Sequence, residues 1–128
     1  MSLTKVPVEM TEIKETANEY TKTQNFDEQA LTSTSNSVAW DAESNQCAVH
    51  TLTENTTIAS PTNLKAGATY ILRVVQAAGV YTLAWHGNFK WGTESAPAAP
   101  AANGDVLICS FYSDGTYLYG AEFVREEA

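Results

Sequence analysis

The chain has 128 residues and a mass of 13.9 kDa, with 44% hydrophobic and 17% charged residues; that is the length of one domain and too apolar for a disordered one. Seven Lys and Arg stand against fifteen Asp and Glu, a formal charge of −8, and such a chain repels nucleic acid, whose binding depends on cationic side chains. No apolar run approaches the ~20 residues of a membrane helix, and Glu9, Glu12, Glu15 and Glu19 stand where a secretory signal would be apolar, so a soluble protein made in the cytoplasm is expected, without nucleic acid or membrane as partner.

The first 30 residues are polar and acidic. Val6, Val8 and Met10 alternate around Pro7, the pattern of an extended arm. Met10, Ile13, Ala17, Tyr20 and Gln24 also fall at three-and-four spacing, as a short coiled-coil seam would. Thr11, Thr16, Thr21 and Thr23 are poor helix formers, so an extended arm with room for one short helix is expected. It has too little apolar content to fold on itself. Val6, Pro7, Val8, Met10, Ile13 and Tyr20 are therefore its candidate anchors on another chain. The run Thr32-Ser33-Thr34-Ser35-Asn36-Ser37 reads as a linker. The division is an arm and linker over 1–35 and a β domain over 36–128.

Short strand signals follow at 37–40, 46–53 and 56–59. Asn63-Leu64-Lys65-Ala66-Gly67 reads as a turn. Over 69–76, Tyr70, Leu72 and Val74 alternate with Ile71, Arg73 and Val75, a strand by its period of two. Ala77-Ala78-Gly79 then suggests a three-residue hairpin loop with Gly79 left-handed, and 80–85 the returning partner. The Pro/Ala stretch over 96–104 forbids a central strand. A second hairpin pairs 105–113 with 116–124 across Asp114-Gly115. Its first strand is apolar on both faces, with Val106 and Ile108 on one and Leu107, Cys109 and Phe111 on the other. Such a strand lies inside a sandwich or under a neighbouring subunit. About seven short strands with frequent turns predict an all-β fold, an antiparallel β-sandwich or small barrel.

Candidate chemistry is sparse. Cys47 and Cys109 form neither a disulfide framework nor a zinc site; they read as buried thiols or as one cross-strand disulfide. His50 and His86 lack ligand-type partners at short spacing. Asp41 and Glu43 match no calcium loop, and Asp105, Asp114 and Glu122 read as turn and strand-edge carboxylates. No nucleophile elbow, phosphate-cradling loop or dinucleotide fingerprint occurs. The expectation is a non-enzymatic protein without cofactor or metal. The aromatics say more. Trp40, Trp85, Trp91, Tyr81, Tyr112, Tyr117 and Tyr119 fall among the strands, and Tyr117, Tyr119 and Phe123 share one face by parity. Such a row stacks on sugar rings or fills a core and a subunit interface, and the sequence leaves both open.

One longer pattern carries a resemblance. Its parts are Ser37-Val38-Ala39-Trp40-Asp41, Leu52-Thr53-Glu54-Asn55-Thr56-Thr57-Ile58, the run from Asn63 to Gln76, Tyr81-Thr82-Leu83-Ala84-Trp85, Phe89-Lys90-Trp91-Gly92, Asp105-Val106-Leu107-Ile108 and Phe111-Tyr112-Ser113-Asp114-Gly115-Thr116. Together they resemble a small β-rich module of tailed-bacteriophage virion structural proteins. The departures are an apolar turn at Gln76-Ala77-Ala78-Gly79-Val80 and a single Gly92 where a pair is common. The resemblance implies a non-enzymatic virion structural protein on the particle exterior, made in the bacterial host cytoplasm. Capsid decoration or a head fibre comes first, because only six residues follow Glu122 and no receptor-binding tip is expected. It further implies a homotrimer bound to major capsid or tail proteins. The alternatives are a tail fibre or tail adaptor that meets host surface glycan, and a carbohydrate-binding module.

Overall fold

A computed structural model describes residues 19–128. Among them are ten short strands and no helix: β1 (Glu28–Ala30), β2 (Ser33–Thr34), β3 (Ser37–Val38), β4 (Cys47–Thr51), β5 (Thr56–Ile58), β6 (Thr69–Val75), β7 (Leu83–Trp85), β8 (Phe89–Lys90), β9 (Val106–Ser113) and β10 (Leu118–Glu126). They make a six-stranded sheet, β1-β4-β6-β9-β10-β8, and a four-stranded sheet, β2-β3-β5-β7. The two sheets pack together around one core.

The expected all-β character holds, while the count is ten rather than about seven and the sheets are mixed rather than antiparallel. β1 with β4, β4 with β6, β3 with β5, β5 with β7 and β8 with β10 run parallel. Only β2–β3, β6–β9 and β9–β10 are antiparallel. The reason lies in the path of the chain. From β3 to β7 it alternates between the two layers, so consecutive strands face each other across the core and next-but-one strands become neighbours. A period of two reports that a segment is a strand and says nothing of which strand it meets.

This path removes the first expected hairpin. β6 lies between β4 and β9, and β7 pairs with β5 in the other sheet. The left-handed residue in the connection is Val80, at φ 53°, and not Gly79. Its amide donates to the Ala77 carbonyl at 3.0 Å. Buried Gln76 governs the crossing. Its Nε2 donates to the carbonyls of Tyr81 and Pro100, each at 2.8 Å, while Oε1 accepts from the amides of Ala77 (3.0 Å) and Tyr81 (2.9 Å). One side chain thus fastens two loop segments with its hydrogen-bonding capacity filled.

The second hairpin forms as expected, with a four-residue loop in place of two. Leu118 faces Ser113 in the ladder. Asp114 Oδ1 accepts from the amides of Thr116 and Tyr117 at 2.8 and 2.7 Å, and Gly115 supplies φ 94°. The Ser/Thr/Asn run is also ordered rather than a linker. Ser33 pairs with Val38 and Thr34 with Ser37, around a two-residue turn in which Ser35 and Asn36 both have positive φ. That mirror-type turn matches the twist of the strands it joins. Asn36 holds it, donating from Nδ2 to the Asn55 carbonyl at 2.7 Å.

Alternation then sorts the side chains. Tyr70, Leu72 and Val74 of β6 and Leu107, Cys109 and Phe111 of β9 point into the core, joined by Val38, Trp40, Leu52, Ile58 and Leu118. Each full burial of this kind stabilises by about 1.5–3 kcal/mol before chain entropy is charged against it. Cys47 points the other way from Cys109, with β6 between their strands. Both thiols are free, Cys47 half-buried and Cys109 buried, so they form no disulfide with each other.

Candidate functional site

The outward side of the six-stranded sheet is the most distinctive surface. Cys47 and Val49 on β4, Ile71 and Val75 on β6, Val106 and Ile108 on β9, and Ala121 and Val124 on β10 stand on it without a covering layer among the described residues. Arg73 is the only charged side chain pointing outward from β4, β6 and β9. Its guanidinium grips Glu28 of β1 through Nη2–Oε1 at 2.7 Å and Nε–Oε2 at 3.1 Å. The Arg73 hydrogen bond holds the Glu28 carboxyl below its ordinary range. The pair is solvent-exposed, so it neutralises the face more than it stabilises the fold.

One corner of this face is aromatic. Tyr119 of β10 and Tyr112 of β9 are direct cross-strand partners and are 45% and 54% exposed. Tyr117 meets Tyr119 edge-on at 6.4 Å, and Lys90 Nζ lies 4.8 Å from the Tyr117 ring centre. The Tyr119 hydroxyl donates to Asp114 Oδ2 at 3.0 Å, which raises the tyrosine's pKa. The amides of Tyr117 and Thr116 depress that of Asp114. A shallow groove of about 550 Å³ runs from Tyr112 and Tyr119 past Ala121 to Trp91.

The expected row of Tyr117, Tyr119 and Phe123 is not one strand face. Tyr117 belongs to the loop before β10. The ladder slips between Glu122 and Val124, so the parity that linked Tyr119 to Phe123 is broken at the bulge. Phe123 stands apart, 70% exposed. The tryptophans face inward instead. Trp40, Trp85 and Trp91 pack with Phe89 and Phe111, ring centres 5.0–6.3 Å apart. Trp40 and Trp85 donate their indole N–H to the Asn45 and Pro97 carbonyls. Trp91 Nε1 is buried without a partner among the described residues.

Of the remaining candidates, His50 is buried with Nδ1 2.9 Å from the Leu31 carbonyl; the carbonyl can only accept, so Nδ1 carries the proton. His86 is exposed and accepts the Asn88 amide. Asp41 is held low by the Asn63 amide first, and by the Glu43 N–H. Asp105 is buried and receives the Ala102 amide at 2.9 Å. Glu122 pairs with Arg125 at 2.9 Å. These groups do not converge on a shared point. Val6, Pro7, Val8, Met10 and Ile13 lie outside the described residues; Tyr20 is within them and 61% exposed.

Two elements of this surface escape a reading by residue type. The Tyr112–Tyr119 pairing depends on register, which the four-residue loop sets. The Arg73–Glu28 pair depends on β1 joining the sheet, for which 28–30 carry no strand pattern. The apolar outward side was signalled, by the two apolar faces of 105–113. Comparison of the chain with protein-family models, curated proteins and solved structures finds no match.

Proposed function

We propose that this chain is a non-enzymatic structural protein of a tailed-bacteriophage virion, a trimeric β-sandwich carried on the particle exterior as capsid decoration or head fibre. The sequence motifs supply the phage element of this reading. The single structural observation that carries it is the apolar outward side of the six-stranded sheet, a surface suited to assembly. Residues 19–27 add support, since they precede β1 without strand pairing and leave Tyr20 and Phe26 61% and 65% exposed. Aromatic side chains held in the open on an arm suit docking to another virion protein.

The decisive experiment is the copy number of the chain in purified particles, by quantitative mass spectrometry. Stoichiometry close to that of the major capsid protein supports decoration. Copies fewer by about tenfold or more move the assignment to the tail or to a sparse head fibre. Absence from particles overturns the virion reading. In a binding assay, deleting residues 1–27, which stops short of β1, is expected to abolish attachment to particles and to preserve the melting transition.

The Tyr112–Tyr119 corner favours a second reading, a tail fibre or adaptor, or a carbohydrate-binding module, that stacks these rings on host glycan. Binding to host polysaccharide that is lost in Tyr119→Ala without unfolding would support it.

A further inference from the structure

We infer that the outward side of the six-stranded sheet, centred on Val49, Ile71 and Ile108, is the surface through which copies of this chain associate with one another. The inference deepens the oligomeric part of the proposal above and rests on that part alone.

Charge selects the partner. The chain carries −8 overall, so two copies repel wherever their acidic surfaces meet. The central strands of this face present one charged group, Arg73, already neutralised by Glu28. It is therefore an approach along which identical chains repel weakly, with Glu126 opposite Val106 the further charge at its β10 margin. The outward row of the other sheet, Thr34, Ser37, Thr57 and Ala84, is uncharged too but lacks the apolar side chains that would hold a partner. A basic partner would instead be drawn to the acidic remainder of the surface.

Size and composition agree. Five strands at roughly 4.8 Å spacing, three to nine residues long at roughly 3.4 Å each, span about 24 Å across and about 10–30 Å along the strands. That is of the order of the roughly 800 Å² per partner in a stable interface. β-Branched aliphatics fill its centre, and at one margin stand Tyr112 and Tyr119, a residue type enriched among interface hot spots.

The β10 edge of the sheet is a poorer meeting place. β8 covers only Leu118 and Tyr119 of β10, but the rest of that edge is blunted by the bulge at Glu122/Val124 and by the charges of Glu122, Arg125 and Glu126. Natural sheets use these devices against edge-to-edge pairing.

The test is sedimentation velocity on the full chain. The unaltered protein is expected to be an oligomer. Ile108→Glu and Val49→Glu should each sediment as monomers with the circular-dichroism spectrum kept. Thr57→Glu, on the exposed side of β5 in the other sheet, should leave assembly unchanged. An unaltered chain that stays monomeric up to about 100 μM overturns both this assignment and the oligomer in the proposed function. An oligomer that persists in both face variants overturns the assignment alone.

Cys47 supplies a readout that needs no variant. On this face, its alkylation by a maleimide should accelerate about tenfold or more on dilution through dissociation. Buried Cys109 should stay unreacted throughout. A Cys47 rate independent of concentration in an assembling chain overturns the assignment even if the face variants fail to fold.

Discussion

Gly120 of β10 lies directly opposite Phe111 of β9, and the phenyl ring occupies the space a side chain at 120 would need. A Cβ on Gly120 would overlap Cδ1 and Cε1 of that ring. Phe111 has nowhere to retreat, being buried against Trp40, Trp85, Phe89 and Trp91. The glycine is thus a steric requirement of the aromatic core, imposed from the neighbouring strand.

Gly120→Val is accordingly expected to destabilise the domain by about 1–3 kcal/mol through overpacking. Urea denaturation checks this, and a midpoint equal to that of the unaltered chain would show that the ring is free to move. The double variant Gly120→Ala with Phe111→Leu should cost less than the sum of the two single changes, because the smaller side chain relieves the clash.

Gln76 is a polar group on which several others depend. Gln76→Leu keeps the volume and strands the carbonyls of Tyr81 and Pro100 and the amides of Ala77 and Tyr81. With an unsatisfied buried group costing about 1–3 kcal/mol, a net loss of roughly 2–4 kcal/mol is expected. Faster hydrogen exchange at the Ala77 and Tyr81 amides should accompany it. Unchanged exchange there would contradict the role given to this side chain.

Val80 offers the opposite case, a position where replacement should help. A β-branched residue at φ 53° is strained, and its side chain is 55% exposed, so little packing is at stake. Val80→Asn is expected to stabilise by about 0.5–1 kcal/mol, since Asn tolerates the left-handed region. Val80→Gly should gain less, because glycine also loosens the unfolded chain. A destabilised Val80→Asn would mean the valine packs better than its exposure implies.

Acid should weaken the fold in a defined window. Glu28 is held low by Arg73, Asp41 by Asn63 and the Glu43 amide, and Asp114 by the amides of Tyr117 and Thr116. As pH falls, the unfolded chain takes up protons at the ordinary values, 4.5 for Glu and 3.8 for Asp, while the folded chain still resists. The unfolded state then binds more protons and stability declines. The urea midpoint should be level from neutral pH to about 5 and fall below that. Asp114→Asn, which cannot titrate, should fall less steeply; an equal slope would remove Asp114 from the account.

Local structure was legible in the sequence wherever it depended on local chemistry. The alternation over 69–76 became β6, and Asp114-Gly115 became the turn between β9 and β10. In the connection after Val75, Gly79 has the residue type for the left-handed position, yet Gly79 is required because a Cβ there would strike the Tyr81 ring, and Val80 takes the positive φ. Strand partners were illegible because the chain alternates between layers, and nothing in a five-residue strand records its neighbour. For the candidate surface, the two apolar faces of 105–113 were visible. The tyrosine pairing and the bulge that displaces Phe123 depend on register, which is settled only when β10 meets β9.

The place of β1 has a mechanical consequence. Any tether through the residues before Glu28 delivers its tension to a three-residue strand at the rim, parallel to β4. Arg73 grips its first residue, and just past its last the Leu31 amide donates to Val49 and the Leu31 carbonyl meets His50. A pull along the strand therefore shears these contacts together, while a pull away from the sheet peels them in turn. Under load the rim yields first, and the centre, held by β6, β9 and β10, keeps its shape.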